Sequence, residues 1–127
     1  LSGNPLATAA GLATLRLLDA GAYARLARTT ELLANGLTEA ARDAGVAVQV
    51  PWTTGLLTVF FSRQPVRDLE GARACDADAH AAFCRALLDH GVYPPPSQFE
   101  AWFPSLAHDD GHLFRTLEAA REAFAAL

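Results

Sequence analysis

The sequence predicts an α+β domain: a small, mainly antiparallel three-stranded sheet packed with about four helices. Two observations carry this. Segments with helical spacing of apolar residues alternate with short runs of period two, in the order helix, helix, strand, strand, helix, strand, helix. The two adjacent strands are joined by too short a link for a parallel crossover, so they pair antiparallel.

The first helix is predicted from about Pro5 to Asp19. Asn4 offers a side-chain oxygen as a cap, and Pro5 stands at the first helical position, where its missing N–H costs nothing. Leu6, Leu12, Leu15, Leu17 and several alanines surround its axis, with Arg16 the single interior charge. A helix apolar on every side is normally covered on every side. The expectation is therefore that other protein, either further chain or a second subunit, packs on it.

A second helix, from about Ala22 to Ala44, is half-apolar, with Leu26, Leu33, Leu37, Ala40 and Ala44 as its stripe and Gly45 as its stop. Gly36 within it costs up to about 1 kcal/mol relative to alanine by propensity. Strands follow at Val46 to Val50 and Leu56 to Phe61, with a turn around Trp52-Thr53-Thr54-Gly55. Residues Ser62 to Ala74 read as a loop with room for a short turn of helix. A third helix runs from Asp76 to about Asp89, with His80, Phe83 and Leu87 on one face and Cys84 and Leu88 beside them, and Gly91 closes it. The rigid strut Pro94-Pro95-Pro96 leads to a third strand, Phe99 to Phe103. A last helix spans about Asp109 to Ala126 on the stripe Leu113, Leu117, Ala120 and Phe124, with Phe114 alongside.

The chain has 127 residues, 51% of them hydrophobic and 19% charged, and a net charge of −4. That composition suits one folded domain, and the lack of a basic cluster argues against nucleic acid or an anionic membrane as a partner. No apolar run approaches the roughly 20 residues of a membrane span, and a cytoplasmic setting is expected. All ten basic residues are arginine. No side-chain amine is present to form a Schiff base, so lysine-dependent carbonyl chemistry cannot be completed by this chain. Methionine is absent as well. Both absences lead us to expect an excerpt of a longer protein.

Three features invite a chemical reading. Cys75 and Cys84 are separated by about 13 Å of helical rise, too far for a disulfide, and are expected as free thiols, with Cys84 in the core. His108 and His112 have the four-residue spacing of a zinc pair, yet Asp109 and Asp110 between them are what a helix N-terminus prefers, so capping is expected and no metal. Glu100 lies between Phe99 and Ala101 and shares a strand face with Gln98 and Trp102. A carboxylate in such company needs water or a partner. It either points to solvent from an edge strand or faces a ligand cavity, and spacing alone leaves both open.

Leu1-Ser2-Gly3-Asn4-Pro5-Leu6-Ala7 with Ala10-Gly11-Leu12-Ala13-Thr14-Leu15, and Gly91-Val92-Tyr93 with Pro96-Ser97-Gln98-Phe99-Glu100-Ala101 and Ser105-Leu106-Ala107-His108, form a recognisable set. On these the chain resembles the C-terminal part of the glutamate-1-semialdehyde 2,1-aminomutases, pyridoxal 5'-phosphate enzymes of the class III aminotransferase group. The resemblance covers essentially the whole chain. It implies the small C-terminal domain of a fold type I enzyme over residues 1–127, with residues 1–20 leading in from a large domain that carries the cofactor lysine. It further implies a homodimer, isomerisation of (S)-4-amino-5-oxopentanoate to 5-aminolevulinate for tetrapyrrole synthesis, and no covalently bound cofactor on this chain alone. Glu100 matches the family's active-site glutamate and is the single catalytic residue carried over; no cofactor-binding or metal-binding residue is. From Val92 to Phe103 there is no arginine of the kind that clamps an α-carboxylate in related aminotransferases, in keeping with an aldehyde substrate. The segment Trp52-Thr53-Thr54-Gly55-Leu56-Leu57 departs from the family's Gly-Ser-Met-Phe pattern. Another class III aminotransferase, or a freestanding α+β interaction or ligand-binding module, is therefore the alternative.

Overall fold

A computed structural model describes residues 3–127; Leu1 and Ser2 of the opening motif lie outside the described residues. The α+β class holds, with five helices and a two-stranded sheet among those residues. Helix α1 spans Pro5–Leu17, capped by Asn4, whose side-chain oxygen accepts the Ala7 N–H at 2.9 Å. It ends before Asp19 because Asp19 is instead the cap of α2, Ala20–Asp43, accepting the Ala22 N–H at 2.7 Å. The short helix α3, Leu69–Arg73, occupies the turn allowed for in the central loop. Asp76 caps α4, Ala77–Asp89, and Asp109 caps α5, Asp110–Ala125. Each of these helices starts on an asparagine or aspartate because a short side-chain acceptor satisfies an N–H that the first turn leaves open.

The sheet departs from the sequence expectation in two ways. Strand β1, Trp52–Thr53, lies inside the segment expected as a turn, which shrinks to Thr54-Gly55, while β2, Leu56–Leu57, opens the strand expected from Leu56. Gly55 has φ of 77°, the left-handed conformation this two-residue link needs. The pairing Trp52 with Leu57 continues in the same register to an isolated bridge between Gln49 and Phe60. Pro51 interrupts the ladder: its carbonyl accepts the Thr58 N–H at 3.2 Å, but it has no N–H to return. Thus the strand expected at Val46 to Val50 reduces to one paired residue, and the run Leu56 to Phe61 keeps its alternation, burying Leu57, Val59 and Phe61.

The expected third strand, Phe99 to Phe103, is a correction as well. It touches the sheet at one residue, through Leu57 N–H to Trp102 O at 3.2 Å and Trp102 N–H to Leu57 O at 2.8 Å. The next ladder positions are lost on both sides. The Glu100 N–H turns back to Ser97 O at 3.1 Å, and Pro104 has no N–H.

The core lies where α2 and α4 pack on α5 against the inner face of the hairpin. Its centre is aromatic: Phe83 and Phe124 stack with ring centroids 4.3 Å apart, and Phe61 meets them at 5.6 and 6.0 Å. Leu33, Leu37 and Ala40 of the expected α2 stripe are buried, as are Leu113, Ala120 and Phe124 of α5. Phe114 and Leu88 are exposed instead, and Ala44 lies beyond the packed face. Helix α1 buries none of its residues: Leu6 is 83% exposed, Leu15 66% and Leu17 73%. No helix among the described residues is long and apolar enough to cross a membrane.

Candidate functional site

A groove of about 150 Å³ runs between the proline strut, the N-terminal half of α5 and the side of α2. The strut forms one wall because Val92 N–H bonds back to Leu87 O at 2.9 Å, turning the chain out of α4, after which Pro94 and Pro95 hold it extended. Trp102 and Phe103 floor it, Leu33 and Leu113 line it, and His108 and His112 stand at the α5 end.

The two imidazoles are occupied by local structure. The His112 N–H donates to Asp109 Oδ1 at 2.9 Å and the Asp109 N–H donates to His112 Nδ1 at 3.4 Å, a closed capping box, with His112 Nδ1 also 2.7 Å from Asp109 Oδ1. The two contacts of His112 with that oxygen, main chain first, hold the Asp109 carboxyl below its usual range. His108 Nδ1 accepts the Ser105 N–H at 2.9 Å. No cluster of three metal-ligating side chains occurs among the described residues. The capping expected for this segment is what the geometry contains.

Glu100 does not line the groove. It stands exposed on a tight turn, Ser97 to Glu100. The two residues expected on its strand face, Gln98 and Trp102, are both buried, at 6% and 8% exposure. Phe99 and Phe103 are exposed, and Glu100 is exposed between the two buried residues, so the expected alternation breaks at the turn. An exposed aromatic pair beside an exposed carboxylate next to a polyproline strut is a surface that the chain itself does not cover.

Both cysteines are free and buried. Burial pushes the Cys75 thiol up, partly offset by a bond with Ser62; burial also raises Cys84, partly offset by Arg85. Cys84 Sγ lies 3.7 Å from both ring nitrogens of His80 and 3.6 Å from Pro95 O. Sulfur equidistant from both nitrogens is over the ring rather than in line with either lone pair, so this is packing and not an activated thiolate. Burial lowers the His80 pKa, keeping the ring neutral. Two residues that spacing did not single out complete the region. Thr30, fully buried, donates to Leu26 O at 2.7 Å and accepts the Gly55 N–H at 3.0 Å, tying the hairpin turn to α2. Gln98 donates through Nε2 to Ala72 O at 3.2 Å, tying the Glu100 turn to α3.

Set beside known proteins, the chain is 53% identical over 125 residues to glutamate-1-semialdehyde 2,1-aminomutase of Anaeromyxobacter dehalogenans. That alignment takes in 98% of this chain and 29% of the relative, at the relative's C-terminal end. The chain is homologous to the C-terminal part of the glutamate-1-semialdehyde 2,1-aminomutases. It thus spans less than a third of the length of the curated relatives it matches. No protein-family model matches it. Among solved structures, an omega-transaminase from Sphaerobacter thermophilus superposes with a TM-score of 0.81 at 23% identity, over 96% of this chain and 28% of that one. A transaminase with PLP bound gives 0.82 at 22%, over 97% and 27%. These two likenesses establish the fold.

The aminomutase-like chain does not fit pyridoxal phosphate on its own. It has no lysine, and a groove of about 150 Å³ falls short of the roughly 300 Å³ at which small-molecule sites begin.

Proposed function

We propose that this chain is the small C-terminal domain, residues 1–127, of a pyridoxal-phosphate-dependent aminomutase that converts (S)-4-amino-5-oxopentanoate to 5-aminolevulinate in the cytoplasm as a homodimer. The single observation that carries the reading is the 53% identity over 98% of the chain with an aminomutase of which it spans only 29%. Two physical features support it. The unburied leucines of α1, each contributing about 1.5–3 kcal/mol when covered, suit a helix that leads in from a large domain and packs beneath it. The exposed Phe99, Glu100 and Phe103 suit a face that closes over a site held by that domain.

The cofactor, held by the lysine-bearing domain, supplies the means of moving the amino group. This chain supplies Glu100. Its carboxylate, brought against the substrate, favours a protonated amine nearby and disfavours a second carboxylate. With no arginine between Val92 and Phe103 to pair an α-carboxylate, that charge selects an aldehyde-ended substrate over an amino acid. The transaminase likeness of the fold favours one competing reading, a class III aminotransferase using an external amino acceptor.

Glu100→Gln in the full-length enzyme separates role from fold. The expected outcome is a single-turnover rate lowered by roughly 100-fold, in the range of general acid–base contributions, with an unchanged urea midpoint. A single-turnover rate equal to that of the parent removes Glu100 from the mechanism.

A further inference from the structure

Gln98 lies two places before Glu100. Gln98 is 94% buried by its 6% exposure, in a turn whose neighbours Phe99 and Glu100 are exposed. Its Nε2 donates to Ala72 O at 3.2 Å, while its Oε1 is buried with no hydrogen-bond partner. An orphaned buried amide oxygen is a standing cost, so burial of this side chain is not explained by stability alone. What the amide does accomplish is geometric. It pins one end of the turn to α3 across 26 positions of sequence, and the Trp102–Leu57 bridge pins the other end to the hairpin. Within the turn, Ser97 accepts the Glu100 N–H through its carbonyl at 3.1 Å and the Phe99 N–H through its hydroxyl at 3.2 Å. Glu100 is therefore held between two buried anchors, one of them polar and under-satisfied.

We propose that Gln98 is a positioning residue for Glu100: the Gln98–Ala72 hydrogen bond fixes the turn on which the Glu100 carboxylate is presented to the substrate. This rests on the reading of Glu100 given above. A near-isosteric apolar side chain at position 98 removes the bond and the orphaned oxygen together, which leaves stability little changed while freeing the turn. Misplacing a reacting group by about 1 Å costs up to roughly 100-fold in rate.

The test compares the parent, Gln98→Met, Glu100→Gln and the double variant as full-length holoenzymes, with kcat, KM and amide hydrogen exchange on the same preparations. Expected for Gln98→Met are a kcat lowered by roughly tenfold or more with KM within about twofold, and faster exchange at the Glu100 and Trp102 amides. In the Glu100→Gln background the same substitution should cost no further rate. A parental kcat in Gln98→Met, with Glu100→Gln slow, overturns the positioning role and leaves the Glu100 reading standing. An equal loss in both backgrounds overturns it too, because Gln98 then acts without Glu100. A parental rate in Glu100→Gln removes both claims. Should Gln98→Met not fold, Gln98→Glu serves: its protonated form can donate to Ala72 O and its carboxylate cannot. A pH–rate profile in which kcat recovers toward acid supports the proposal, and a profile parallel to the parent's overturns it.

Discussion

Single polar residues decide how the segments of this chain are held together, and the least conspicuous is Thr30. Its hydroxyl both donates to Leu26 O and receives the Gly55 N–H, so one buried atom joins α2 to the hairpin turn. Thr30→Val keeps the shape and orphans that N–H. It should cost about 1–3 kcal/mol in urea unfolding, with an unchanged m-value. His80 gives the fold a pH dependence. Burial lowers its pKa in the folded state, so on acidification below its ordinary 6.5 the unfolded chain takes up a proton that the folded chain still refuses. The contribution of the neutral ring is complete above that value and is lost as pH falls through the lowered pKa. Urea titrations at pH 7.5 and 5.5 should therefore show lower stability at the acid value, and His80→Gln should flatten that difference. Sequence reading found the caps at Asn4 and Asp109 because a cap is a local pattern. It missed Thr30 and Gln98 because each bonds across about 25 positions.

At the scale of elements, the helices were legible in the sequence and the sheet was not. Helical periodicity extends over many residues, whereas each strand here is a short extended run whose pairing is set by which N–H groups are free. Pro51 and Pro104 remove donors, and the Glu100 N–H is used within its own turn, so three expected strands become a two-residue hairpin and isolated bridges. Gly36 shows the reverse failure, where a local cost conceals a packing gain. A Cβ there would lie 2.6 Å from both methyls of Leu117 and 3.1 Å from its Cγ, so the glycine admits α5 against α2. Helix propensity alone makes Gly36→Ala stabilising by up to about 1 kcal/mol. The overpacking should win, giving a net loss of about 1–2 kcal/mol by thermal or urea unfolding, reduced in a Leu117→Ala background.

For the whole molecule, what matters is how much apolar surface its own fold leaves uncovered. Helix α1 buries nothing, and the turn bearing Glu100 projects between exposed Phe99 and Phe103. The resemblance read from Pro96 to Ala101 singled out Glu100, whereas spacing by itself left it between an ordinary edge strand and a ligand cavity. The central claim is that these 127 residues complete an aminomutase whose amine-bearing lysine is upstream. It is tested most directly by joining the chain to the upstream region of its own gene and supplying (S)-4-amino-5-oxopentanoate with no other amino donor or acceptor. The account predicts multiple turnovers to 5-aminolevulinate from the joined protein and none from this chain alone. Turnover that stops without an added keto or amino acid, as an aminotransferase requires, would contradict it.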